Sequence, residues 1–254
     1  MKIFTLSMNK YLKPAAVVFW IAVWQLLSFL VNNPLVIASP AETFTSYVRL
    51  LKEGVLIPSV FKSTLFILCG FALGSFTGAA AAVISSLKEK AEVFIGMLMR
   101  TMQTIPVAAF IILVLISAGN GFVSLIISFF VTAPVVYLSL LQGLKAADSD
   151  MEEMAEIFNI SFGKRFKYII LPGLWPHLTA ALENSLGMSF KSGVAAEVIG
   201  QPLGTIGNGM YRGKIYLATD EVLAWTAAVV ITAAIIRWVM KYLLKKLEPG
   251  DRSL

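Results

Sequence analysis

A chain of 254 residues, 57% hydrophobic and only 14% charged, lies far below the roughly 25% charge of globular proteins, and its mean hydropathy of +0.79 excludes an ordinary water-soluble fold. The length leaves room for one transmembrane domain, residues 1–254, and for no nucleotide-hydrolysing domain beside it. The net charge of +6 follows the loops and gives no reason to expect nucleic acid. The single cysteine, Cys69, excludes an intrachain disulfide or a cysteine metal cluster.

Apolar runs near residues 15–31, 60–87, 91–118, 122–144, 173–197 and 222–244 have the length of a spanning helix, about 20 residues. Six spans are the simplest reading, giving an all-α integral membrane fold. The first follows Lys2, Lys10 and Lys13 and has no small-residue cleavage site before Asn32, so it reads as a retained helix. An even number of spans puts both termini on one side. Lys88, Lys90, Lys145, Lys164, Arg165, Lys167, Lys241, Lys245, Lys246 and Arg252 join the N-terminal lysines there, whereas the opposite loops hold Arg49, Lys52, Lys62, Arg212 and Lys214. The positive-inside rule makes the richer side cytoplasmic.

In the second span Gly70, Gly74 and Gly78 recur every fourth residue, a face without side chains that lets another helix approach closely. Pro106 and Pro134 fall within the third and fourth spans, where each removes a backbone hydrogen bond and favours a bend. The fifth span carries Lys191 and Glu197. A charge at bilayer depth costs roughly 2.5–3.5 kcal/mol, so such residues face protein or water. Lys191 is read as a residue of an internal pathway or a packed structural charge, and Glu197 as a residue of the outer interface. Arg237, near the cytoplasmic end of the last span, is expected to snorkel to the headgroups. His177, the only histidine, takes no role. Gly213-Lys214 lacks the preceding strand, the earlier glycine and the following Ser or Thr of a phosphate loop.

Residues 148–172 interrupt the apolar pattern. Met151, Met154, Ala155 and Phe158 recur at i, i+3, i+4, i+7 among Asp150, Glu152, Glu153 and Glu156, which predicts a short amphipathic helix. Ser149 and Glu152 form a capping-box pattern, Asn159 suits a left-handed stop, and Ser161 begins a second short helix before Pro172. A helix of about nine residues is below the roughly 12 needed for stability alone. It requires either a partner's groove or the membrane interface.

The spacing of Glu153, Met154, Ala155, Asn159, Ile169, Leu171 and Pro172 resembles the EAA loop of ATP-binding-cassette importer permeases, with Met154 in place of an Ala-type residue and Asn159 in place of Gly. The stretches SPAETFTSYVRLL and AAEVIGQPLGTIGNGM extend the resemblance over nearly the whole chain, toward the sulfonate, taurine and nitrate branch. The resemblance implies a type I importer permease fold of six transmembrane helices, with a cytoplasmic coupling loop at 145–172 between helices 4 and 5. It implies a bacterial cytoplasmic membrane, two side-by-side copies, cytoplasmic ATPase subunits that bind ATP and Mg, and an extracytoplasmic substrate-binding protein. The chain itself would hold no cofactor and would not be an enzyme. Met151, Met154, Ala155 and Phe158 would fill the ATPase groove, Glu153 would sit at its rim, and Asn159 would set the turn. Lys191, Pro106 and Pro134 would belong to the translocation path. A sulfonate or nitrate is the substrate class implied, with a thiamine precursor or another metabolite as the alternative. A self-contained secondary transporter would call for inverted repeats, and none is visible.

Overall fold

The apolar runs fold as helix at each of the six places where the sequence puts them. The computed structural model describes residues 12–146, 154, 157–158 and 160–248, with no strand among them. In chain order these form α1 (Leu12–Val31), α2 (Pro40–Lys52), α3 (Leu56–Leu87), α4 (Glu89–Thr104), α5 (Val107–Ala118) and α6 (Val123–Lys145). A single turn, α7 (Phe162–Arg165), and a π-helical turn (Phe166–Ile170) lead into α8 (Leu171–Gly200), followed by α9 (Ile206–Ile215) and α10 (Thr219–Lys246). Four stretches are long and apolar enough to cross a membrane: Pro14–Val31, Leu56–Leu87, Val123–Lys145 and Thr219–Lys246. With 30 residues, or about 45 Å, α8 has ample length. It is set apart by the polar residues along it.

The run over 91–118 forms two helices, with the break at the bend expected of Pro106. α4 and α5 meet at 101°, because Pro106 cannot donate to a helical carbonyl and Ile105 before it is extended (φ −69°, ψ 126°). α5 has only 12 residues, about 18 Å, against a hydrocarbon core of about 30 Å. Pro134, by contrast, sits inside an unbroken α6 and is fully buried.

The glycine spacing in α3 does what it predicts. A Cβ on Gly70, Gly74 or Gly78 would stand 2.1 Å from Leu125 O, 2.8 Å from Phe129 O or 2.4 Å from Ala133 O, respectively. The backbones of α3 and α6 therefore touch, which only glycine permits. α8 packs on the same α6 through small residues, with Ser189 and Thr132 hydroxyls 2.6 Å apart. Apolar residues complete the interior in three clusters, around Phe190 and Trp225, around Tyr137 and Leu140, and around Ile111 and Ile127. α1 stands outside this bundle, with none of Pro14–Val31 buried; the Trp24 indole N–H donates to Ala38 O at 3.0 Å and fastens it to the start of α2.

Polar links stitch the bundle end that carries Gly200. Ser39 and Glu42 close a capping box on α2, with Pro40 in its first turn. The Ser46 hydroxyl donates to Asp220, and Arg49 pairs with Glu221 at 2.7 Å, joining α2 to the start of α10. At the opposite end Lys145 of α6 pairs with Glu92 of α4 at 2.6 Å.

Candidate functional site

α8 has two faces. Ala181, Ser185, Ser189 and Gly193, one turn apart along the helix, are buried against its neighbours. On the other side Glu183, Asn184, Gly187, Met188 and Lys191 form a polar stripe, with Asn184, Met188 and Lys191 exposed. These five and Arg237 of α10 line an open groove of about 260 Å³. Gly187 shapes it: a Cβ there would stand 2.7 Å from Arg237 Nη2, so the guanidinium lies across the α8 backbone. Arg237 therefore reaches over α8 and does not simply extend toward headgroups, which revises the snorkelling expectation. Glu183 pairs with Lys241 of α10 at 3.3 Å.

Glu197 is not at an interface. It is fully buried, where a carboxylate is tolerable only with donors around it. Its Oε2 accepts from the Ser63 hydroxyl at 2.7 Å and from the Gly207 N–H at 3.2 Å, while Ser63 Oγ accepts from the Ile206 N–H at 2.9 Å. Two helices thus supply the cap for the first N–H groups of α9. No regular spacing in the sequence links Ser63, Glu197 and Gly207. A carboxylate four residues before the Gln201–Thr205 connection was the one signal available.

Of the residues read as a coupling surface, Met151, Glu153, Ala155 and Asn159 lie outside the described residues. Met154 and Phe158 are one helical turn apart, joined by a Phe158 N–H to Met154 O hydrogen bond of 3.1 Å. Both are exposed, Phe158 to 72%. Tyr168, Ile169, Ile170, Pro172 and Gly173 enclose a cavity of about 350 Å³ against Gly143 and Leu144 at the end of α6. His177 fills space there: a Cβ on Gly143 would stand 2.8 Å from its ring, and Ser139 donates to its carbonyl at 3.1 Å. Lys191 is exposed in the groove, Pro106 forms the sharp break, and Pro134 is internal. The structure does not bring these three together into one site. No group of three or more His, Cys, Asp or Glu side chains able to hold a metal occurs among the described residues.

Comparison with known proteins accords with this geometry. The chain is 25% identical over 245 residues to the putative aliphatic sulfonates transport permease protein SsuC of Bacillus subtilis, covering 94% of this chain and 87% of that one. It is 31% identical over 149 residues to the taurine transport system permease protein TauC of Escherichia coli, covering 58% and 54%. The bicarbonate transport system permease protein CmpB of Synechococcus elongatus is 20% identical over 186 residues, covering 70% and 66%. In fold the chain is similar to a crystal structure of an amino acid ABC transporter with histidines, at a TM-score of 0.60 and 15% identity, covering 80% of this chain and 97% of that one. The model of the binding-protein-dependent transport system inner membrane component family matches residues 70–250. The chain belongs to that family: it is an inner-membrane permease subunit of an ATP-binding-cassette importer, which works with a separate ATPase and a substrate-binding protein.

Proposed function

We propose that two copies of this chain stand side by side in the cytoplasmic membrane, both termini in the cytoplasm, and pass a small organic or inorganic anion such as a sulfonate or nitrate. The observation that carries this reading is the exposed position of Lys191 on α8, about 30 Å along the helix from Leu171. A cation there would cost roughly 2.5–3.5 kcal/mol facing lipid, so its face is turned to water or to protein. A second copy across that face encloses a path with positive walls. Relatives named for sulfonates, taurine and bicarbonate support an anionic solute.

Coupling to ATP falls to residues 145–172. Met154 and Phe158 offer an apolar surface at the end where lysines collect, and with Met151 and Ala155 they fill a groove on the ATPase, with Glu153 at its rim and Asn159 at the turn. Closure of the ATPase pair then pulls α6 and α8 through this short lever, and the bundle rocks about the path. The solute meets Lys191 while ATP and Mg stay with the partner.

The test is a complex of this chain with its ATPase and binding protein in proteoliposomes. Ala155→Asp and Glu153→Arg are expected to leave the chain inserted but to separate ATP hydrolysis from uptake. Uptake at the full rate in both variants would overturn the coupling assignment. Lys191→Ala is expected to impair uptake with ATPase assembly intact, and unchanged uptake kinetics would remove Lys191 from the path.

A further inference from the structure

We infer that Lys191 and Arg237 together form a binding site for a small, singly charged oxyanion, with Gly187 as its floor. The inference rests on the permease reading above, in which this face of α8 meets water, and it adds a second cation that belongs to another helix.

The groove is lined by Glu183, Asn184, Gly187, Met188, Lys191 and Arg237. Glu183, its one acid, is already paired with Lys241 at 3.3 Å. Among the described residues neither Lys191 nor Arg237 has an ion-pair partner. Two positive charges thus share a groove with no free negative charge. An anion entering it would relieve both.

Arg237 lies about 14 Å before the end of α10 at Lys246 and has a path to the headgroups along its own helix. Instead its guanidinium crosses α8 at the one position without a side chain, Gly187, four residues before Lys191. One helical turn separates those two positions, so the fork of Arg237 and the ammonium of Lys191 converge on the same side. Arg supplies paired donors matched to two oxygens of an oxyanion, Lys supplies a compact charge, and the Asn184 amide adds a neutral donor. The groove, at about 260 Å³, accepts a small solute.

The site is tested without knowing the natural solute. In a Cys69→Ala background Met188→Cys places a thiol within the groove, in the full chain purified with its ATPase. The probes are two thiol reagents of similar size, 2-sulfonatoethyl methanethiosulfonate and its trimethylammonium counterpart. Relative to free mercaptoethanol, the anionic reagent is expected to gain about tenfold over the cationic one, since two unit charges at short range act oppositely on the pair. Lys191→Gln and Arg237→Gln should each remove several-fold of that preference, and Arg237→Lys should keep most of it. Gly187→Ala, which asks only a flexible guanidinium end to move, should lower the preference with Lys191 still present. Ethanesulfonate should slow labelling and ethylene glycol should not. No labelling at 188, or a ratio unchanged in both Gln variants, overturns the site. ATP-driven uptake of ethanesulfonate is read separately: labelling as expected in a complex that does not take it up would overturn the proposed anion path and leave the anion site standing.

Discussion

Glu197 shows what one buried carboxylate does in this bundle. It draws Ser63 of α3 and Gly207 of α9 onto α8, with distances of 2.7 and 3.2 Å. Truncating it would leave those donors without an acceptor, at about 1–3 kcal/mol for each buried polar group. Glu197→Ala is therefore expected to lower the thermal midpoint of the purified protein by several degrees, since about 1 kcal/mol moves a domain of this size by roughly 2–4 °C. Glu197→Gln, which retains an acceptor, should lose less. Equal midpoints for the alanine variant and the native chain would show that α9 is held by other contacts. The fully buried Thr205 hydroxyl, which accepts from the Asn208 N–H at 3.2 Å, is the nearest alternative anchor.

Among the elements, the turn holding Met154 and Phe158 exposes apolar side chains outside the long apolar helices. Burying a Phe against a partner is worth about 1.5–3 kcal/mol, a factor of roughly 10–100 in affinity. Phe158→Ala should accordingly weaken copurification of the ATPase by at least about tenfold. It should leave the thermal midpoint of the permease alone unchanged, because at 72% exposure Phe158 has little packing to lose. A fall in that midpoint with undiminished ATPase binding would place Phe158 in the interior. Local spacing predicted helix here, and the Phe158 N–H to Met154 O bond agrees with it at that one turn; the rest of the predicted helix lies outside the described residues. The same logic revealed the glycine face of α3. It understated Pro106, where the sequence predicts a bend and the structure has a 101° break. Proline chemistry says that a hydrogen bond is lost but does not by itself give the angle. The Lys191–Arg237 arrangement was illegible for a related reason. The two cations sit on different helices, and only the register of α8 against α10 puts Arg237 over Gly187.

At the scale of the molecule, charge is sorted between the two ends. Lys145 pairs with Glu92 and Lys241 with Glu183 toward one end, whereas Arg49 binds Glu221 at the other. The excess of lysine at the first end fixes the orientation expected in a membrane. A reporter active only in the cytoplasm, fused after Leu254, should be functional, and one inserted in the α8–α9 connection at Leu203 should be silent. The reverse pattern would invert the topology and remove the ATPase from reach of Phe158. The helical class and the membrane setting were plain from composition, because so few charges leave no other solvent.

The backbone contact along Gly70, Gly74 and Gly78 has a mechanical consequence. Side chains between helices act as bearings: they re-pack, hop between rotamers and let the two surfaces slide. Where α3 meets the Leu125, Phe129 and Ala133 carbonyls its glycines bring no side chain, and only the Cβ atoms of Ser128, Thr132 and Val136 stand beside them, so that joint has little compliance. α3 and α6 are expected to travel as one beam through a transport cycle. Strain then collects at the ends of the beam and at the joints with softer contacts, the Pro106 elbow and the open face of α8. Probes placed on α3 and α6 would keep one distance in every nucleotide state, and they make a fixed frame against which the motion of α8 can be measured.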